Sequence, residues 1–146
     1  MFGNLFINAA SSLTLLEFGK AICPALGIVG FTERESSNYP DGRYLLAQCL
    51  GVSISLAMTD DDDLAEYPFQ ISFKADGFWI EDGTALEGLA DVVARKLTLA
   101  GYKVARCPDY GLIGADIWRY SVKAGSLGSG RNEIDVAKLP PQDEPL

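Results

Sequence analysis

The densest group of chemically active side chains is a run of four aspartates, Asp60, Asp61, Asp62 and Asp63, followed three residues later by Glu66. Carboxylates at this density can bind a divalent cation, dock on a basic protein, or stay in solvent and keep a strand edge from aggregating. The run lacks the alternating ligands, the glycine and the twelfth-position glutamate of a calcium-binding EF-hand loop. Calcium binding is therefore the weakest interpretation, and the solvated loop and the partner-binding surface both remain open.

The residue types for acid–base and metal chemistry are scarce. The chain contains no histidine, which is the commonest base, proton shuttle and neutral metal ligand near pH 7. Its three cysteines form no C-x-x-C pair, and neither a dinucleotide-binding nor a P-loop glycine motif occurs. Strand spacing would put Glu33 and Glu35 on one face, but nothing else in the sequence indicates a sugar-cleaving cleft. We therefore predict a protein with no enzymatic activity, no cofactor and no bound metal.

Charge is distributed unevenly along the chain. The net charge is -8, yet residues 59–91 alone carry ten acids and one base, Lys74, a net of -9. This segment also contains Glu81 and Asp82, which form a second candidate acidic patch. A negative surface repels phosphate backbones and anionic lipids and attracts cationic proteins. We therefore expect a basic protein partner and no direct binding to nucleic acid or membrane.

The length and composition are those of one folded domain. The 146 residues, 48% of them hydrophobic and 22% charged, are enough to bury a core without disulfides. The odd number of cysteines favours reduced thiols, and no basic residue precedes Lys20, unlike the start of a signal peptide. No apolar run reaches the roughly 18 residues of a membrane span. We expect a soluble protein of the cytoplasm.

Two segments have the periodicity of amphipathic helices. Residues 11–23 place apolar side chains at helical spacing, with Ser11 or Ser12 as the expected N-cap. The second helix is predicted over about residues 84–100, where an apolar stripe that includes Leu97 should pack on the sheet.

The second helix also has recognisable start and stop signals. Thr84 and Glu87 have the spacing of a capping box, in which each side chain accepts a hydrogen bond from the other residue's backbone. Gly101 is placed to end the helix in the left-handed conformation.

Strand patterns occupy much of the remaining chain. Residues 27–35 and 43–58 are the predicted arms of a hairpin around the turn Pro40-Asp41-Gly42, with Gly51 as a bulge in the second arm. Residues 52–58 and 69–73 alternate apolar and polar side chains, which indicates a sheet with one buried face. Further strands are predicted at 78–80, after an Asp76-Gly77 turn, and at 102–107 and 115–122.

The predicted order of elements, α-β-β-β-β-α-β-β, lacks the regular βαβ alternation of a parallel sheet. We therefore predict an α+β fold in which two helices pack on an antiparallel β-sheet, in a single domain over residues 1–124. Residues 125–146 are rich in glycine, proline and polar side chains, so composition predicts a mobile tail there.

The turn segment carries a spaced pattern, E-R-x-S-x-N-Y-x-x-G-x-Y, formed by Glu33, Arg34, Ser36, Asn38, Tyr39, Gly42 and Tyr44. With Leu50-Gly51, the aspartate run and Tyr67-x-Phe69, the similarity extends to about residue 73. In these residues the chain resembles small bacterial proteins, some of which look like immunity partners of polymorphic or contact-dependent toxins. The resemblance implies a binding protein that occludes a toxin and performs no chemistry of its own.

The candidate partner-binding residues are acidic or aromatic: Asp60, Asp61, Asp62, Asp63, Glu66, Glu81, Asp82, Tyr39 and Tyr44. Each tyrosine can anchor an interface or simply cover the edge of the core. The leading hypothesis is an acidic immunity protein that neutralises a basic toxin domain. The alternative is an intracellular or phage-derived domain that acts by self-association or structural assembly, as a homo-oligomer. An enzyme that uses the carboxylates ranks third.

Overall fold

Two helices and eight strands make up the described part of the chain, which in this computed structural model comprises residues 3–9, 12–75, 83–108, 116–122 and 133–136. The helices are α1 (Leu15–Ala25) and α2 (Gly83–Leu99). The strands, in chain order, are β1 (Asn4–Asn8), β2 (Thr32–Glu35), β3 (Arg43–Cys49), β4 (Val52–Met58), β5 (Phe69–Ala75), β6 (Lys103–Arg106), β7 (Trp118–Ser121) and β8 (Glu133–Asp135).

All eight strands belong to one sheet, in the order β2-β3-β4-β5-β1-β6-β7-β8. Every neighbouring pair is antiparallel except β7 and β8, which run parallel. Both helices contribute to one core cluster on the same face of the sheet. The fold is a single α+β domain, as the sequence predicts. Neither helix has the length and apolar composition that crossing a membrane requires, within the part of the chain that is described.

β1 lies inside the sheet, between β5 and β6, and neither a helical nor an alternating pattern in the sequence predicts it. Leu5, Phe6 and Ile7 are all fully buried. Leu5 and Ile7 belong to the core under the helices, whereas Phe6 packs on the opposite face of the sheet. A strand that is buried on both faces has no alternation of apolar and polar residues, so the period-2 signal is missing.

The alternating segments of β4 and β5 bury the predicted side chains. Val52, Ile54 and Leu56 are buried beneath the helices, while Ser53 and Ser55 lie half-buried on the other face. The predicted hairpin around Pro40-Asp41-Gly42 is also confirmed, since β2 and β3 pair antiparallel across it.

The boundaries of that hairpin differ from the prediction in two places. β2 begins at Thr32, so residues 27–31 of the predicted arm are not part of the strand. The predicted bulge at Gly51 is wrong, because Leu50 and Gly51 form the turn between two separate strands, β3 and β4. Both residues have positive φ, 53° and 78°, and the glycine takes this conformation without steric cost.

α1 begins later than predicted, and its N-cap is Thr14 rather than one of the two serines. Thr14 Oγ1 accepts a hydrogen bond from Glu17 N at 3.1 Å, and Thr14 N donates to Glu17 Oε1 at 2.9 Å. This reciprocal capping box satisfies two of the free amides at the helix start. The hydrogen bond from Thr14 N to the Glu17 carboxylate is the main cause that lowers the pKa of Glu17, and the Thr14 side chain lowers it further. Phe18 then stacks on Phe69 of β5, with ring centroids 4.1 Å apart.

α2 agrees closely with the predicted second helix. Leu97 is fully buried, and the N–H of Gly101, at φ +103°, donates to Thr98 O at 3.1 Å to close the helix. The side chain of Thr84 lies outside the described residues, so the predicted capping box remains a prediction. Within the described residues, the Glu87 carboxylate instead accepts hydrogen bonds from Gly3 N and from Arg106 Nη1.

β8 corrects part of the predicted tail. Its residues pair in parallel register with β7, and the following Val136 is only 7% exposed within the main core cluster. Residues 133–136 therefore belong to the folded domain, although they follow a glycine-rich segment. The predicted strand at 78–80 and the Asp76-Gly77 turn lie outside the described residues.

Candidate protein-binding surface

Two loops leave the sheet at the same end and bring most of the predicted partner-binding residues together. The first, residues 36–42, joins β2 to β3, and the second, residues 59–68, joins β4 to β5. Because Leu45 pairs with Leu56, the start of β3 lies beside the end of β4. These two loops define a surface that we name the loop end.

The acidic loop, residues 59–68, is held on the sheet by two apolar anchors. Leu64 and Tyr67 are 2% and 4% exposed and pack around Phe6 of β1, on the face opposite the helices. With the apolar side chains directed inward, Asp60, Asp62, Asp63 and Glu66 stay exposed and Asp61 is half-buried, as the burial of each residue shows. The loop therefore presents its carboxylates from a fixed base.

Backbone hydrogen bonds give the acidic loop a defined shape. Thr59 N donates to Pro68 O at 2.8 Å and closes the loop at its base. A single 3-10 turn, Asp62–Leu64, is capped by Asp61, whose Oδ1 accepts from Asp63 N at 2.9 Å. Because the conformation is already set, little chain entropy remains to be lost when a partner binds.

The acidic side chains of this loop differ in whether they form an ion pair with a basic side chain. Glu66 Oε1 lies 2.8 Å from Arg119 Nη2 of β7, in an ion pair whose members are both largely exposed. No ion pair between described residues includes Asp60, Asp61, Asp62 or Asp63. The four aspartates therefore supply the uncompensated negative charge of the loop. Among the described residues, no group of three potential metal ligands converges.

Tyr39 of the other loop stacks on Tyr44, the second residue of β3. Their ring centroids are 4.4 Å apart with the planes inclined by 24°, and each side chain is half-buried. Asp41 and Gly42 have φ of 58° and 67°, left-handed values that aspartate and glycine tolerate better than most residues. Ser36 N donates to Gly42 O at 2.9 Å across the turn. Because each ring is only half-buried, the pair presents aromatic surface beside the turn.

A cleft of about 600 Å³ separates this hairpin from the amino end of α1. Leu15 and Leu16 of α1 line one side, and Tyr44 lines the other. Glu33, Asp41 and Arg43 line it as well, so the charged lining carries a net charge of -1. Two carboxylates beside an aromatic ring favour a cationic side chain, which would gain both charge and cation–π interactions.

Glu81 and Asp82, the second predicted acidic patch, lie outside the described residues. Their part in the surface stays a prediction.

A network of charged groups between α2 and the strands is a feature that no sequence motif indicated. The Tyr120 hydroxyl donates to Asp91 Oδ1 at 2.7 Å and accepts from Arg106 Nε at 2.9 Å. Arg106 Nη1 donates to Glu87 Oε2 at 2.6 Å, and Arg95 Nε donates to Asp91 Oδ2 at 2.9 Å. Only the four-residue spacing of Asp91 and Arg95 was visible in the sequence.

The electrostatics of this network suit a structural role. Burial raises the pKa of Tyr120, and its hydrogen bond to Asp91 raises it further, so the phenol is neutral at physiological pH. Two acids are balanced by two bases, and each of these side chains already has a partner. The network holds α2 on β6 and β7.

Comparison of the chain with protein-family models, with curated proteins and with solved structures finds no match.

Proposed function

We propose that the protein binds a basic protein partner through the loop end and neutralises that partner by covering its cationic surface. The observation that carries this proposal is the acidic loop, where four aspartates without ion-pair partners among the described residues stand on a base anchored by Leu64 and Tyr67. The stacked tyrosines and the carboxylate-lined cleft lie at the same end of the sheet.

Each part of this surface has a distinct role in the proposed complex. The exposed aspartates accelerate encounter with a cationic protein, because long-range attraction acts on the association rate. Tyr39 and Tyr44 offer rigid aromatic area of the kind that anchors interfaces. The cleft receives a lysine or arginine side chain of the partner between Glu33, Asp41 and Tyr44.

A toxin that cleaves nucleic acid is the partner that fits this charge best. Such an enzyme needs a cationic surface to hold phosphate groups, and an acidic domain can occupy that surface by presenting carboxylates in their place. The resemblance of residues 33–73 to immunity-type proteins supports the same role. We therefore infer an immunity protein that acts in a bacterial cytoplasm.

Self-association is the second candidate, and the free edge of β2 argues against its simplest form. In a symmetric antiparallel pair of edges, residues that face each other lie on the same side of the sheet. Glu33 and Glu35 share one side of β2, because they pair with Leu45 and Arg43 of β3. Their carboxylates would then oppose carboxylates of the second copy, which destabilises the pairing.

The proposal is tested with a variant in which Asp60, Asp61, Asp62 and Asp63 are all replaced by asparagine. Asparagine keeps a side-chain oxygen at position 61 to cap the 3-10 turn, so the free energy of unfolding should change by no more than about 0.5 kcal/mol. Partners are captured from the native cytosol on the immobilised wild-type chain, and association rates of the purified partner are then measured for both proteins.

We expect the variant to associate at least about tenfold more slowly at low salt, with the difference shrinking as salt screens the charges. Glu66→Gln is the matched control, and its effect should be smaller because Arg119 already offsets that charge. If the quadruple variant is folded and its association rate and affinity are unchanged, the four aspartates form only a solvated loop and do not contribute to binding.

A further inference from the structure

An apolar groove of about 400 Å³ opens on the helix-bearing face, between the carboxyl end of α1 and α2. Leu26 and Ile28 form one wall, Leu89 and Val92 form the other, and Val52 and Phe73 belong to its floor. Its volume lies within the range of about 300 to 1,000 Å³ that is typical of small-molecule sites.

The groove exists because α2 is apolar on two adjacent stripes. Ala90, Ala94 and Leu97 are fully buried against the sheet. Leu89 and Val92, on the neighbouring stripe, face the groove instead, and Val92 is 62% exposed. Leu50, at the groove's edge in the β3–β4 turn, is 85% exposed. Adjoining exposed apolar side chains around a concave surface mark a binding site more often than isolated ones do.

The polar groups of the groove limit what can bind there. Of the lining residues in the described ranges, Lys96 alone carries a charge, and Cys49 contributes a thiol. Lys96 follows Leu89 and Val92 on the same helix face and takes part in none of the ion pairs found between described residues. A nucleotide or a sugar would find almost no hydrogen-bonding partners among these aliphatic walls. An apolar chain that ends in one anion matches both the walls and the lysine.

We propose that this groove binds an amphipathic carboxylate, with its hydrocarbon chain along Leu89 and Val92 and its carboxylate paired with Lys96. The site is independent of the proposed protein-binding function. It lies at the Val52 end of β4, whereas the acidic loop follows Met58 at the other end, and six residues of strand separate them by roughly 20 Å.

The thiol of Cys49 can report on occupation of this groove. Cys49 is exposed and lines the groove, while Cys23 and Cys107 are buried, so a small neutral reagent such as N-ethylmaleimide reaches Cys49 first. The probe is decanoate, compared with octanoate and hexanoate, all below their micelle concentrations. The rate of Cys49 alkylation is measured as each carboxylate is titrated into the full chain.

We expect decanoate to slow the alkylation of Cys49 in a saturable manner, with affinity falling about fourfold for each methylene removed. Lys96→Gln should weaken decanoate binding about two- to fivefold, as for the loss of one partly exposed ion pair. 1-Decanol, which has the same chain length and no charge, should bind the wild type and Lys96→Gln equally. Lys20→Gln, which removes an exposed lysine outside the groove, should leave decanoate binding unchanged.

A second pair of variants tests the apolar wall. Val92→Glu places a carboxylate in the groove at an exposed position and should abolish the protection of Cys49. Val122→Glu alters a valine that is 49% exposed outside the lining and should preserve it. Equal protection in the wild type and Val92→Glu, or no protection by decanoate, would overturn the proposal. So would a dimer of the wild type in sedimentation that Val92→Glu dissociates, because the groove would then be filled by a second copy.

Discussion

At the scale of single residues, Tyr120 shows how a buried polar group can position a helix. Its hydroxyl both accepts from Arg106 and donates to Asp91, so the phenol links β6 and β7 to α2. Burial and the bond to Asp91 raise its pKa above the ordinary value of 10.0. The folded state therefore favours the neutral phenol more strongly than the unfolded chain does.

This raised pKa makes a prediction about stability and pH. Well below pH 10 the phenol is neutral in the folded and in the unfolded state, so Tyr120 makes its full contribution to the free energy of unfolding. As the pH rises further, the unfolded phenol ionises first, and stability falls by up to about 1.4 kcal/mol per pH unit. Tyr120→Phe should lower the free energy of unfolding at pH 8 by about 1 to 3 kcal/mol, because Asp91 and Arg106 lose a partner.

The comparison of wild type and Tyr120→Phe across pH isolates this one group. Urea unfolding at pH 8, 9, 10 and 11 should show the stability difference between the two proteins shrinking above pH 10. Absorbance at 295 nm should show that one tyrosine of the wild type ionises late in the titration and that this late ionisation is missing from Tyr120→Phe. A stability difference that stays constant up to pH 11 would contradict the assigned role of Tyr120.

At the scale of elements, β2 is a sheet edge whose charges oppose pairing with itself. All four of its residues are exposed, and none of the described strands pairs with its outer edge. In the symmetric register centred on Arg34, Glu33 faces Glu35 of the second copy, and Arg34 faces its own equivalent. Like charges placed directly opposite each other protect an otherwise free edge from edge-to-edge association.

A single charge reversal on β2 should therefore create a dimer. Glu33→Lys puts the introduced lysine opposite Glu35 twice in the symmetric pair, exchanging two repulsions for two attractions. We expect self-association roughly ten- to a hundredfold tighter than in the wild type, weakening as salt is added. Sedimentation equilibrium of both proteins measures the change.

The double variant Glu33→Lys, Glu35→Lys is the matched control. It carries a larger charge change than the single variant but restores like charges across the symmetric edge, so it should remain as monomeric as the wild type. Dimerisation of both variants would show that total charge, and not the alternation along β2, governs the edge.

At the scale of the whole molecule, two different surfaces occupy opposite ends of the sheet. The loop end is acidic and partly aromatic, whereas the groove near Val52 is apolar with one cation, Lys96. The core beneath both helices lies between these two surfaces. It extends as far as Val136, which follows the last described strand. The domain therefore depends on residues that follow the glycine-rich segment 125–130.

The contribution of this last segment can be measured by truncating one side chain. Val136→Ala removes two methyl groups from a position that is 7% exposed, and it should lower the free energy of unfolding by roughly 1.5 to 3 kcal/mol. Val122→Ala makes the same chemical change at a position that is 49% exposed and should have an effect within about 0.5 kcal/mol. Equal effects in urea denaturation would show that residues 133–136 do not belong to the core.

The elements that could be predicted from the sequence are those whose signals are local. Alternation in residues 52–58 and 69–73 indicated one buried sheet face, and helical spacing placed Leu97 in the core, as the burial pattern confirms. The turn at Pro40-Asp41-Gly42 was equally visible, because proline and glycine restrict or extend backbone conformation wherever they occur. The capping box of α1 at Thr14 and Glu17 is also present in the sequence, although the prediction places the N-cap at Ser11 or Ser12.

For the candidate surface, the sequence by itself determined which residues are acidic or aromatic, and that much of the negative charge falls within residues 59–91. Only the tertiary structure decided that the two loops meet at one end of the sheet, that Glu66 pairs with Arg119 53 residues away, and that the four aspartates have no such partner within the described chain. It also placed β1 between β5 and β6, and β8 beside β7. The physical reason is range: capping, turn geometry and periodicity act within a few residues, whereas strand pairing and ion pairs join segments that only the folded chain brings together.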